Sequence, residues 1–185
     1  MLHGGFIEAS EYADFSDSEI VASFPEWSMT SGSETVIQSK PYRYWRFCSE
    51  DRRNSDMAEL FFFNKEGERI YPVSKCTLTD GDLLTNYSAE GTKLKGYIDF
   101  GKPVHLDRVS YVRRGDGNAI MPGEDYEIFY WEDSRWKHHS SHTAVDVYLD
   151  IKDLPYGALY FVKGFTGVRY RIFTVNANSG RIEWR

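Results

Sequence analysis

Apolar and polar residues alternate in short runs along this chain, and turn-forming residues separate the runs at regular intervals. In residues 42–47, Tyr42, Tyr44 and Arg46 point one way and Arg43, Trp45 and Phe47 the other, the period of two of a strand. Residues 60–63 are continuously apolar, as in a strand buried on both faces. The same reading predicts strands at 96–100, 108–113, 126–131, 136–139, 145–149, 158–163, 170–175 and 181–184. Turn chemistry lies between them, at 64–67, 101–103, 115–118, 122–123, 132–134 and 155–157. No long window carries a 3.6-residue period, so the pattern points to an all-β sandwich or barrel. Residues 1–40 are more weakly patterned, with short apolar runs at 20–22 and 35–37, and read as an extension of loops and one or two strands.

Composition narrows the class. With 185 residues and 41% hydrophobic content the chain can bury a real core. Its formal charge of -6 is spread without long single-sign blocks, which disfavours nucleic acid and anionic membrane as partners. No run approaches the ~20 apolar residues of a membrane span, so no membrane insertion is expected. Thirteen Tyr, twelve Phe and five Trp suit strand faces, and a ring face also covers the C–H face of a sugar. Two cysteines, Cys48 and Cys76, are too few for a disulfide scaffold; one bridge and two free thiols both remain open. The opening residues carry no secretory pattern, which is expected of a mature fragment or an excised domain.

Four motifs carry a resemblance. Asp80-Gly81-Asp82-Leu83-Leu84-Thr85, Gly96-Tyr97-Ile98-Asp99-Phe100-Gly101, Leu106-Asp107-Arg108-Val109 and Tyr126-Glu127-Ile128-Phe129-Tyr130-Trp131 followed by Trp136 resemble the discoidin, or coagulation-factor type C, family. The stretch 114–131 and the ending 171–185 are similar to such domains in surface and secreted polysaccharide-processing and transglutaminase-like proteins of gut Bacteroidetes, with Gly115 and Gly117 as departures. The resemblance implies a galactose-binding-like jelly-roll β-sandwich. Residues 42–47 and 58–60 resemble the family's closing strands, yet here they come first. They are expected to be permuted to the N-terminus, giving an extension at 1–40 and one sandwich at 41–185, with closing strands at 41–75 and a main body at 76–185. A truncated neighbouring domain at 1–75 is the competing account; it would leave a long aromatic edge exposed.

Two sites follow. Asp80, Asp82 and Thr85 supply the oxygen ligands that calcium takes. By resemblance the ion is structural and Glu59 is a further ligand; the alternative is a plain Asp80-Gly81 turn held by Thr85. Arg114, Asp116 and Asn118 share a loop and can hydrogen-bond sugar hydroxyls; the alternative is turn capping, with Arg114 paired to an acid. Trp131 or Trp136, flanking the 132–134 turn, can add a stacking ring, although core packing is the common fate of such rings. Because Tyr130 and Trp131 face opposite ways, one of them belongs to the core. His138, His139 and His142 have metal-ligand chemistry, but adjacent strand residues point apart.

No G-x-S-x-G, P-loop, H-E-x-x-H or G-x-G-x-x-G is present. The expected function is therefore non-catalytic binding of a glycan or polysaccharide by an accessory module of a secreted or cell-surface protein. A module that packs against a neighbouring catalytic domain without binding sugar is the alternative, and a cryptic hydrolase a third.

Overall fold

The short alternating runs fold as strands. The computed structural model describes residues 5–25, 31–48, 57–85, 98–114, 119–164, 171–176, 178 and 182–184, and among these the regular structure is β throughout. The strands pair antiparallel in three sheets. The chain divides into two compact units, Met1–Asp116 and Gly117–Arg185.

The first unit holds β1 (Phe6–Ser10), β2 (Glu19–Ser23), β3 (Gly32–Thr35), β4 (Tyr42–Cys48), β5 (Met57–Phe63), β6 (Arg69–Ile70), β7 (Ile98–Val104) and β8 (Arg108–Arg113). One sheet has the order β2-β1-β4-β7 and the other β3-β8-β5-β6. The segment that resembles closing strands pairs with later strands, β4 with β7 and β5 with β8. Strands from before residue 41 belong to the same sheets: β1 pairs with β4 from Phe6↔Cys48 to Ser10↔Tyr44, and β3 pairs with β8.

Residues of both sheets share one hydrophobic cluster, an arrangement compatible with a β-sandwich. Its centre is three rings packed edge to face. Trp45 of β4 lies 6.0 Å from Phe62 of β5 and 6.1 Å from Phe100 of β7, and Phe62 and Phe100 are 5.3 Å apart. Phe24 bridges the sheets in the same way, 5.6 Å from Phe47 and 4.9 Å from Tyr111. Every residue of β5 is buried, as the continuous apolar run predicts. Leu60 and Phe62 enter the shared core. Of the alternate residues, Phe61 lies under the Arg69 guanidinium at 4.5 Å and Phe63 under Arg108 at 3.9 Å.

Strict alternation misplaces three features. Tyr42, expected opposite Trp45, is buried beside it, because the β4–β7 register shifts between Tyr42 and Tyr44. The turn expected at 101–103 lies inside β7. There the stretch from Asp99 to Val104 faces only Tyr44 to Tyr42, a bulge that uses the positive φ of Gly101 (74°) and the missing N–H of Pro103. The strand expected at 145–149 is irregular chain: Asp146 and Val147 are both buried and the Asp146 carboxylate accepts from the Val147 N–H, which breaks a period of two.

The second unit holds β9 (Asp125–Glu132), β10 (Arg135–Thr143), β11 (Leu159–Gly164), β12 (Arg171–Val175) and β13 (Ile182–Trp184), in the order β10-β9-β11-β12-β13. Asp133 and Ser134 both have left-handed φ (51° and 59°), the backbone of a tight hairpin turn joining β9 to β10. Tyr126, Ile128, Tyr160, Val162 and Phe173 line one face of this sheet and form its core with Ala144, joined by half-buried Tyr130, Leu149, Ile151 and Leu154. Tyr160 stacks on Phe173 at 5.1 Å, but its buried hydroxyl has no hydrogen-bond partner.

Two substitutions test this packing. Trp45→Ala removes the ring between the two sheets and is expected to cost about 3–5 kcal/mol in urea unfolding. Tyr160→Phe removes only an unpartnered buried hydroxyl, and is expected to leave stability unchanged or raise it by about 1 kcal/mol.

Candidate functional site

The acidic loop is built around β5. A register shift between Met57 and Glu59 in the β5–β8 pairing accompanies the burial of Glu59, which is 0% exposed. The loop of residues 80–85 closes over it. Gly81, at φ 81°, donates its N–H to Glu59 Oε1 at 2.7 Å. Asp80 Oδ1 accepts from the Asp82 N–H at 2.9 Å, and Thr85 Oγ1 lies 3.1 and 3.0 Å from the two Asp80 carboxylate oxygens and 2.9 Å from the Asp82 carbonyl. The Asp82 carboxylate accepts from the Leu84 N–H at 2.9 Å. The structure therefore brings Glu59 of β5 against the loop that carries Asp80, Asp82 and Thr85, with the carboxyls of Glu59 and Asp80 as neighbours.

Glu59 is the unusual member. Its Oε2 is buried and meets no hydrogen-bond donor among the described residues; its neighbour is the Asp80 carboxyl, which only a protonated Glu59 can hydrogen-bond. Burial first, and then the adjacent Asp80 carboxylate, push the Glu59 carboxyl up to about 8, against the Gly81 N–H and the Arg69 charge. Burial also acts to raise Asp80, but the Asp82 N–H, the Glu59 carboxyl and the Thr85 hydroxyl outweigh it and hold Asp80 below its usual value. Two neighbouring carboxyls thus differ sharply in proton affinity, as expected where like charges share a site. No three Asp, Glu, His or Cys side chains converge on a metal position among the described residues. A cation here would draw on the two carboxylates, the Thr85 hydroxyl and main-chain carbonyls.

The predicted glycan residues fall in both units. Arg114 is exposed just beyond the end of β8, in the first unit; Asp116 and Asn118 lie outside the described residues. Trp131 and Trp136 belong to the second unit and come together. They are directly opposed across the β9–β10 hairpin, with ring centroids 5.3 Å apart at 73°. Trp131 is 44% and Trp136 36% exposed, whereas Tyr130 packs toward the core, so the two adjacent aromatics do face opposite ways.

The row extends beyond this pair. Trp136 is 5.4 Å from Phe161, Phe161 is 5.6 Å from Phe129, and Phe129 is 5.3 Å from the His138 ring. Five rings from three strands thus lie on the sheet face opposite the core. Phe129 was legible by counting back two from Trp131; Phe161 comes from β11, and only the pairing Phe161↔Phe129 brings it in. His138 packs on Phe129 and His139 on Tyr130, on opposite faces, so these two do not share a ligand.

The remaining reactive groups are quiet. Cys48 and Cys76 are free. Burial, then the charge of Glu8, push the Cys48 thiol up to about 12, which leaves almost no thiolate at neutral pH. In comparison with known proteins, no family model, curated protein or solved structure matches the chain.

Glu59 makes stability depend on pH. The folded state holds this proton up to about 8, while an unfolded Glu releases it near its ordinary value of 4.5. Its contribution is therefore fully present below pH ~4.5 and is lost as pH rises toward ~8. In divalent-free buffer, Glu59→Gln is expected to flatten the decline in thermal midpoint between pH 5 and 8, leaving the variant the more stable form at the alkaline end. Parallel profiles for both proteins would show that Glu59 ionises without cost.

Proposed function

We propose that the chain is a non-catalytic carbohydrate-binding module with a galactose-binding-like jelly-roll fold, carried as an accessory domain by a secreted or cell-surface bacterial protein. The observation that carries this reading is the ring row on the second unit's sheet, in which exposed Trp131 and Trp136 continue into half-buried Phe161 and Phe129. Aromatic faces cover the C–H faces of sugars, and strands hold the rings in place before a ligand arrives, which lowers the entropic cost of binding. Stacking of this kind requires no reacting group. Arg114, Asp116 and Asn118 are proposed as further residues able to hydrogen-bond sugar hydroxyls.

Strand order supports the jelly-roll part. An eight-stranded jelly roll interleaves its strands so that the sheets read 1-8-3-6 and 2-7-4-5. If the last strand is moved to the front and every number advances by one, the orders become 2-1-4-7 and 3-8-5-6, those of β1 to β8 in the first unit; the moved strand is then β1, not the 41–75 segment that resembles closing strands. The four discoidin-like motifs and the Bacteroidetes-like stretch 114–131 support the accessory role and the surface or secreted setting. Binding of this type is weak per site and gains from tethering to a catalytic domain on the same chain.

Glu59 and Asp80 fit a structural calcium ion, with Thr85 and the carbonyls of the 80–85 loop completing the oxygen set and Asp82 shaping that loop. The pairing of buried Glu59 with the Asp80 carboxyl supports this assignment, because an adjacent cation would replace the proton that otherwise lies between two acids. The ion's chemistry would be charge neutralisation between two crowded carboxylates.

One observation favours a second reading. Ile172, 37% exposed, lies across the sheet from the tryptophans and makes the face apolar enough to receive a protein surface.

Two experiments address these readings. In affinity electrophoresis against soluble plant and host polysaccharides, Trp131→Ala and Trp136→Ala are each expected to weaken binding at least tenfold without lowering the thermal midpoint. Binding unchanged in both variants would refute the stacking site, and loss of self-association without sugar binding would assign the face to a protein. Separately, calcium is expected to raise the thermal midpoint of the native chain but not of Asp80→Asn or Glu59→Gln; a midpoint indifferent to calcium and chelator contradicts the ion site.

A further inference from the structure

Resting on the carbohydrate-binding reading, we infer that the ligand is a single, extended chain of neutral sugars, about four units long, lying lengthwise along β9 and β10 with its stacked end at Trp131 and Trp136 and its hydrogen-bonded end at Asp125 and Thr143. The aromatic row is half of a longer face. By the period of two, Asp125 and Glu127 share the face of Phe129 and Trp131. Across the β10 pairing, Thr143 stands opposite Asp125, Ser141 opposite Glu127 and Trp136 opposite Trp131. One sheet face therefore passes from rings at the hairpin to carboxylates and hydroxyls at the other end.

The polar end is concave. A cleft of about 300 Å³ is lined by Asp125, Tyr126, Glu127, Ser141, His142 and Thr143. A neighbouring cleft of about 510 Å³ at the β10 edge shares His142 and Thr143 and adds Ala144, Val145, Leu149, the exposed ring of Tyr148 and Asp150. Hydroxyls that both donate and accept, beside carboxylates that accept, are the groups a polyol uses. Ser141 and Thr143 are exposed and Asp125 is held by the Thr143 hydroxyl at 2.6 Å, so the end is preorganised yet open.

Length, shape and charge then select the ligand. Six strand steps from Asp125 to Trp131 run about 20 Å, the span of about four pyranose units at roughly 5 Å each. Neighbouring rings are inclined by 73° at Trp131–Trp136 and by 48° at Trp136–Phe161, so no flat crystalline surface can lie on several of them together. A single chain can turn to follow them. Among the described residues that line the two clefts, Glu127 is paired with Lys163 at 2.9 Å, and Asp125 and Asp150 add negative charge that repels uronates and sulfates.

The test is a panel of probes. Soluble neutral polysaccharides (xyloglucan, galactomannan, mixed-linkage glucan, arabinoxylan), anionic ones (polygalacturonate, chondroitin sulfate) and insoluble cellulose and chitin are screened first. Oligosaccharides of one to six units from each neutral binder are then titrated by calorimetry. The expected result is binding to a neutral soluble glycan, with affinity rising at least tenfold from two to four units and then levelling. The double variant Asp125→Ala/Ser141→Ala, with an unchanged thermal midpoint, is expected to remove the gain from the third and fourth units while leaving disaccharide affinity intact. Binding confined to anionic or insoluble material, or a disaccharide bound as tightly as a tetramer, overturns this inference and leaves carbohydrate binding standing. A panel with no binder overturns both.

Discussion

Tyr126 and Ile128 of β9 are pressed into a dry core against Tyr160, Val162 and Phe173, and that burial decides where the other side chains of the strand go. A strand that commits its even residues to a core commits its odd residues to the opposite face. Phe129 and Trp131 are carried outward with Asp125 and Glu127 for this reason. A one-residue slip in pairing would exchange the two sets, putting a carboxylate row into the core. The core pattern and the candidate binding face are thus a single constraint seen from two sides.

β5 is subject to the same constraint and resolves it differently. Leu60 and Phe62 fill the core beside Trp45 and Phe100, while the alternate residues are covered as well. For Phe61 and Phe63 the cover is an arginine on each ring. For Glu59 it is a loop whose Gly81 N–H satisfies one carboxylate oxygen and leaves the other without a donor among the described residues. A buried acid with one unmet oxygen next to a second acid is costly in a core of otherwise matched groups. It keeps its place by holding its proton or by meeting a cation, and the two outcomes have opposite pH dependence.

Much of the first level of structure was legible in the residues. The strands at 108–113 and 126–131, the all-buried run ending at Phe63 and the opposed directions of Tyr130 and Trp131 follow from period and apolarity alone. What failed were places where alternation is interrupted. The β4–β7 bulge brought Tyr42 to the core side and hid Gly101 and Pro103 inside a strand, because a turn signal and a bulge signal use the same residues. At 145–149 a buried carboxylate took over a backbone N–H and the apolar pattern folded as irregular chain. The acidic loop was found through short-range spacing plus a resemblance. Phe161 and the polar end of the β9–β10 face were not, since they depend on which strands become neighbours, and local patterning carries no such information.

The central claim is that the rings on the outer face of β9, β10 and β11 meet a sugar while the buried indole of Trp45 does not. Indole N–H resonances report this directly, with Trp45→Phe, Trp131→Phe and Trp136→Phe giving the three assignments among five tryptophans. On titration with a soluble neutral polysaccharide, the Trp131 and Trp136 signals are expected to shift and saturate together, and the Trp45 signal, from a fully buried ring bonded to the Tyr42 carbonyl, to stay in place. Saturable binding that leaves both surface indoles unmoved would contradict the assignment of this face.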